Sequence, residues 1–287
     1  MRVKMWLLAG RKMNMYKLLL LDIDGTLRDE HKGIPLSALQ AIKECRELGC
    51  QVIICTGRSI GTIQDDVKAI EVDGYICGGG CYIQYQGHIV CDETLPQACV
   101  QTMRKDARIR DIPLAMESKH QVYMNQGAKE IFDHMNQTKS SHKNVNKQFI
   151  QECIRYEDNM HHYQDEAIHK LCIWSNQDIE DVLQDIFQAT YEIAQQDQYL
   201  GYIYYEIIKK GCNKGNALQY IQLALHITKQ ETICFGDGLN DVEMFRQSGC
   251  KIAMKHAHKA LKEIATAQCD DIFEDGIYKE LKKRKVL

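Results

Sequence analysis

The 287-residue chain has little net charge, no CxxC pair, no internal repeat and no long apolar run. Each absence removes a class of function. A formal charge of −3 offers no basic surface for nucleic acid or an anionic membrane. Thirteen cysteines are present, but the count is odd and they lie scattered in apolar segments such as VIICT, KLCIW and TICFG. Without a CxxC pair a structural zinc site is not expected, and the thiols read as buried, reduced side chains of a cytoplasmic protein. The apolar run Met5 to Ala9 is briefer than a secretory core and far short of a membrane span. Residues 1–15 are therefore expected to be a disordered extension, with Met13 or Met15 as alternative starts. The terminal KKRKVL resembles a basic targeting signal but reads better as a solvated last helical turn.

What is present is an ordered alternation. Tyr16 to Ile23 is an apolar run of strand length without alternation, which predicts a strand covered on both faces. Leu36 to Leu48 predicts a helix entered behind Pro35 and stopped at Gly49. Gln51 to Cys55 predicts a strand, Ser59 to Ile70 a helix and Tyr75 to Cys77 a third strand. This order predicts an α/β fold with a Rossmann-like, doubly wound parallel sheet. From Tyr82 to Val90 the pattern changes to an alternating hairpin around Gly87. QVYMN, IHKLCIW, a helix near Ile179 to Thr190 and GYIYYEII then follow at α+β spacing. Residues 142 to 166 are too polar to assign. After Lys214 the first style returns: GNALQYIQLAL as a helix, TICFGDG as strand into turn, DVEMFRQSG as a helix, KIAMK and CDDIFED as short strands, IYKELKKRK as a helix. The expected organisation is a core of residues 16–81 and 208–287, interrupted by an inserted α+β cap at 82–207.

Acidic residues collect where the first and fourth core strands end. Asp22 and Asp24 follow LLLL, and Asp237 and Asp241 lie in GDGLND after TICF. In an open parallel sheet that edge is where ligands bind. Four carboxylates there would repel unless a divalent cation sat among them, and hard oxygen donors favour Mg²⁺. Thr56 in TGR reaches the same edge. Lys214, just before a helix, can supply a point charge, while loop amides near Gly25 and Gly57 can meet phosphate oxygens. This combination points to phosphoryl transfer. His161-His162 has no acid or cysteine partner at ligand spacing and reads as a solvated stretch. Gly78 to Gly80 could cradle an anion or act as a hinge.

DIDGT, TGR, the lysine of KGCNKGNAL and GDGLND, in that order, resemble the haloacid dehalogenase superfamily, and most closely its Cof-type (HAD-IIB) phosphatases. YYEIIKKGCNKGNAL, IAMKHAHKALKEIA and EDGIYKEL carry the resemblance from about Tyr16 to Leu281. It implies that Asp22 is the nucleophile and becomes a phosphoaspartate. Asp24 is then the general acid and base, its backbone carbonyl also binding metal. Thr56 holds the phosphoryl group, and Lys214 steadies the nucleophile and the developing charge. Asp237 ligates Mg²⁺ directly, Asp241 directly or through water, and Arg58 and Asn240 contact phosphate or substrate. Two places depart from the family pattern: Gly79-Gly80 where Asn-Gly is common, and Lys255-His256 where Gly-Asn is common. The implied activity is hydrolysis of small phosphorylated metabolites, sugar phosphates first, by a monomer or homodimer. A phosphomutase of the phosphomannomutase type and an inactive phosphate-binding protein stand as alternatives.

Overall fold

A computed structural model describes residues 16–140 and 159–287. The expectation for residues 1–15 lies outside the described residues, as does most of the unassigned stretch 142–166. In chain order the strands are β1 (Leu18–Leu21), β2 (Gln51–Cys55), β3 (Gly74–Cys77), β4 (Tyr82–Tyr85), β5 (His88–Asp92), β6 (Leu114–Glu117) and β7 (Val122–Met124). They continue with β8 (Lys170–Ser175), β9 (Tyr191–Tyr199), β10 (Tyr202–Lys209), β11 (Thr232–Gly236), β12 (Cys250–Ala253) and β13 (Ala267–Gln268).

Among the described residues these strands form two sheets. The larger runs β13-β12-β11-β1-β2-β3-β4-β5, parallel from β13 to β3. All four leucines of β1 are fully buried, so both faces of the strand are covered, as the unbroken apolar run predicts. Burying each contributes roughly 1.5–3 kcal/mol. Helices Leu36–Glu47 and Gly276–Lys283 pack together, as do Lys214–Leu225 and Val242–Arg246. The chain runs outward from β1 through β2 and β3, then restarts at β11 on the other flank of β1. The switch point between β1 and β11 is where an open parallel sheet leaves a crevice at its carboxyl edge.

Three local expectations change. Ser59 to Ile70 is not one helix but a single turn at Ile60–Thr62 and a short helix at Asp65–Lys68. Ser59 is extended and donates to Glu117, and Gly61 lies so close to the backbone of Lys119 and His120 that a Cβ would sit 2.9 Å away. These long-range ties override helical periodicity. CDDIFED forms a turn at Ile272–Glu274, because Asp271 and Glu274 cap each other locally. The hairpin at 82–92 forms, but β4 pairs with β3 and so extends the larger sheet rather than the inserted unit.

The smaller sheet runs β7-β6-β8-β10-β9. One face packs Leu114, Met116, Leu171, Ile173, Tyr205 and Ile207 against Val100, Met103, Leu183 and Phe187 from helices Gln97–Arg110 and Glu180–Phe187. Strand β9, unmarked by any apolar pattern, pairs with β10 alone at the sheet edge. No described helix is long and apolar enough to cross a membrane.

The passage from the smaller sheet back to the larger one touches the β3–β4 connection at Gly80. Its φ is +111°, and a Cβ there would lie 2.4 Å from the Asn213 carbonyl oxygen. Gly211 has a positive φ of +85° but open space around it. Gly211→Ala should therefore cost only the dihedral term, about 1–3 kcal/mol, and Gly80→Ala distinctly more. Urea denaturation of both variants measures the difference, and equal losses would show that the close approach is not a constraint.

Candidate active site

Asp22 follows β1 directly, and its N–H donates to the Phe235 carbonyl of β11 at 3.2 Å, which fixes it at the switch point. Lys214 opens the helix Lys214–Leu225, whose first turn is capped by the Asn213 side chain accepting from the Asn216 N–H. From there its ammonium reaches Asp22 Oδ1 at 2.7 Å and Asp241 Oδ1 at 2.6 Å. All three side chains are buried. Asp241 Oδ2 accepts from the N–H groups of Asp237 and Gly238 at 3.0 and 3.1 Å, which folds GDGLND into a tight turn. Thr26 donates to Asp237 Oδ1 at 3.1 Å.

One oxygen each from Asp22, Asp237 and Asp241 can be chosen so that all lie within 4.8 Å of one another. Burial pushes the Asp22 carboxyl well above its ordinary range; Lys214 opposes this, while Asp241 and Asp237 reinforce it. Asp237 is pushed up to about 6, by burial first and then by Asp241. Burial would lower the Lys214 ammonium, but Asp22 and Asp241 outweigh that and hold it above its usual value. Three carboxylates against one ammonium leave an excess of negative charge, and their oxygens suit a hard divalent cation.

Among the other candidate residues, Gly25 has a different role from the one expected. The Gly25 N–H donates to the Arg28 carbonyl at 3.1 Å, so it is not free to meet phosphate. Gly25 matters through what it lacks: its φ is +78°, and a Cβ would lie 2.3 Å from Asp237 Oδ2. Arg58 grips Asp24 with two bonds, Nε to Oδ2 at 2.6 Å and Nη2 to Oδ1 at 2.8 Å. The Asp24 side chain is 46% exposed. Desolvation raises its carboxyl, but the Arg58 charge and hydrogen bonds, helped by Arg28, outweigh it and hold the group below its usual value.

Thr56 ends its strand at the same edge, and its Oγ1 accepts from the Arg58 N–H at 3.1 Å. A Cβ on Gly57 would lie 3.2 Å from Asn240 Nδ2, so the second and fourth motif loops face each other there. The amides of Gly78 and Gly79 donate to the carbonyls of Arg58 and Thr56 at 2.7 and 3.1 Å. Those two amides brace the Thr56 loop and are not left to cradle an anion. Lys255 and His256 pair with Glu274 and Asp271. His161 and His162 sit exposed on a turn, and neither belongs to the acidic cluster.

Sequence reasoning missed a second charged group, on the smaller sheet. Lys170 lies 3.2 Å from Glu117 and 3.1 Å from Glu206, and donates to the Gly57 carbonyl at 3.2 Å. Burial would lower Lys170, but the two glutamates outweigh it and raise the ammonium well above its usual value. Only the strand pairing Glu117↔Lys170 could have flagged it, and residue patterns do not report pairing.

Replacing Lys214 by methionine would leave Asp22 and Asp241 buried as uncompensated like charges. Breaking a buried pair in this way costs about 3–5 kcal/mol. Unfolding free energies of Lys214→Met and wild type from urea denaturation, without added metal, should differ by that amount. Equal free energies would mean the ammonium is not the internal counterion of the pair.

The haloacid dehalogenase-like hydrolase profile matches residues 19–281. YkrA of Bacillus subtilis, provisionally named a phosphatase, is 26% identical over 272 residues, covering 94% of this chain and 98% of its own length. Among solved structures, the phosphatase BT1666 from Bacteroides thetaiotaomicron aligns with a TM-score of 0.76 at 22% identity, covering 97% of this chain and 98% of that one. The subclass IIB sugar phosphatase BT4131 aligns with a TM-score of 0.73 at 23% identity, covering 94% of this chain and 100% of that one. With the profile spanning both flanks of the switch point and the sheet between them, the chain belongs to the haloacid dehalogenase-like hydrolase family of enzymes.

Proposed function

We propose that this enzyme is a Mg²⁺-dependent phosphatase of the Cof-type branch, acting on small phosphorylated metabolites, sugar phosphates first. The observation that carries the reading is the Lys214 ammonium held between Asp22 and Asp241 at the carboxyl edge of β1. The similarity to YkrA over nearly the whole of both chains supports a phosphatase, and BT4131 supplies the guess of a sugar phosphate.

Asp22 attacks phosphorus and the leaving alkoxide departs, giving a phosphoaspartate. Lys214 engages Oδ1 of Asp22, which orients the carboxylate and leaves Oδ2 for attack. The Thr56 hydroxyl donates to a phosphoryl oxygen, since its own oxygen already accepts the Arg58 N–H. Asp22, Asp237 and Asp241 would hold Mg²⁺, joined by the Asp24 backbone carbonyl. When bound, the ion supplies Lewis-acid stabilisation of phosphoryl charge worth several kcal/mol. Asp24 protonates the leaving alkoxide and then takes a proton from the water that cleaves the acyl phosphate. In the pair with Arg58 it is a carboxylate, so the acid step requires Arg58 to let go and Asp24 to take up a proton from solvent. A doubly charged phosphoryl group competes for the guanidinium, which gives Arg58 its role as a substrate contact. Asn240 faces the same space from the opposite loop.

The inserted unit, read from sequence as 82–207, acts as the cap that closes over this edge. Its working part is the five-stranded sheet beginning at Leu114, since 82–92 pair into the core sheet. Closure excludes water and leaves choice of leaving group to cap residues.

Phosphate released from an aryl phosphate in the presence of Mg²⁺ should fall to background with Asp22→Asn and with a chelator. Unchanged turnover in Asp22→Asn would sink the mechanism. Metal binding has a separate readout. Mg²⁺ at about 100 times its dissociation constant should stabilise the wild type by about 2.7 kcal/mol, seen as a raised Tm. Asp237→Asn should lose most of that rise, and a full rise in this variant would place the ion elsewhere.

A further inference from the structure

We infer that Lys170 is a positioning residue, which carries the closed state of the smaller sheet to the Thr56 hydroxyl through a single peptide unit. The inference rests on the proposed role of Thr56 as the phosphoryl-binding hydroxyl.

The Lys170 ammonium has three protons to donate and three acceptors in reach: Glu117 Oε1, Glu206 Oε1 and the Gly57 carbonyl. The two glutamates lie on strands flanking its own and neutralise it within the sheet. The third acceptor belongs to the other sheet's catalytic loop. The carbonyl of Gly57 and the N–H of Arg58 are two ends of one peptide group, and that N–H donates to Thr56 Oγ1 at 3.1 Å. A cation on the carbonyl end polarises the peptide and strengthens donation from its N–H end, by about 10–30% in a chain of such bonds. With one lone pair taken by that N–H, the hydroxyl keeps its proton to donate into the site.

A second contact holds the same loop against the same sheet. Ser59 donates to Glu117 Oε2 at 2.5 Å, the carboxylate whose other oxygen meets Lys170. Gly61 then rests directly on the backbone of Lys119 and His120. The loop 57–61 is thus shaped from the smaller sheet, and Thr56 is set by a contact that exists only when the two sheets meet. This differs from a structural ion pair, whose loss would lower stability without touching phosphate selectively.

The test measures inhibition by inorganic phosphate and kcat on an aryl phosphate, with Mg²⁺, in four proteins: wild type, Lys170→Met, Thr56→Val and the double variant. Glu206→Gln serves as a comparison, because it removes a charge from the network yet keeps the Gly57 contact. Lys170→Met should weaken phosphate inhibition and lower kcat by about tenfold, the scale of one charged hydrogen bond. Glu206→Gln should change inhibition far less, since the ammonium keeps its contact with the Gly57 carbonyl. In the Thr56→Val background, Lys170→Met should add almost nothing, because its effect passes through the missing hydroxyl. If Thr56→Val leaves phosphate inhibition intact, the underlying reading of Thr56 fails. If Thr56→Val weakens inhibition but Lys170→Met does not, or if the two losses simply add, the positioning role is overturned. Should Lys170→Met not fold, Ser59→Ala cuts the second tie without disturbing the ammonium. Weaker inhibition in that variant, absent in the Thr56→Val background, supports the coupling, and no change in either background overturns it.

Discussion

An ammonium buried between two carboxylates has no solvent to share its charge with, so its position is set by whatever holds the carboxylates. Lys214 is in that situation, with Asp22 directly after β1 and Asp241 in the turn after β11. Each partner belongs to a different flank of the switch point, and the lysine starts a helix from the last part of the chain. The contact therefore joins segments distant in sequence and requires the sheet order to be right. It is also incomplete: Asp237 adds a third carboxylate, and burial pushes both it and Asp22 upward. A site that carries more acid than its one lysine can balance is prepared for a cation and for an anion bridged by it. Fold and chemistry meet in this imbalance.

The small residues around it follow the same logic. Gly25 permits the Asp237 carboxylate to approach, and Gly236 permits Asp241, whose Oδ2 would lie 2.5 Å from a Cβ there. Both glycines are fixed by the close packing of acids and backbone at the strand ends. The arginine on Asp24 adds a second kind of control. A proton donor held as a carboxylate by a neighbouring guanidinium is idle until something more strongly anionic competes for that guanidinium. On the proposed mechanism the substrate's phosphoryl group has that property, and the pair links binding to the availability of the acid.

Much of this was legible in the residue order. LLLL predicts a strand buried on both faces and places Asp22 at its end, and the TICF run does the same for Asp237. Lys214 is marked by its place just before the helix predicted from GNALQYIQLAL and by the order of the motifs around it. What was not legible depends on partners far away in sequence. The helix expected at Ser59 to Ile70 is broken because Ser59 and Gly61 are tied to the other sheet. The Gly25 amide is consumed by Arg28, a contact made by a local turn that the motif alone does not reveal. Lys170 opens the run KLCIW and reads as the polar entry to a buried strand. Only the pairing of β8 with β6 and β10, and the seating of that sheet on Gly57, turn it into a catalytic-loop contact.

The central claim is that Asp22, oriented by Lys214, takes the phosphoryl group covalently. Rapid quenching during turnover, followed by borohydride reduction, converts an aspartyl phosphate to homoserine, which peptide mass spectrometry can place. The account predicts homoserine at position 22 when substrate and Mg²⁺ are both present, and none without substrate. Reduction at another acid, or no trapped residue in an enzyme that is turning over, would contradict it.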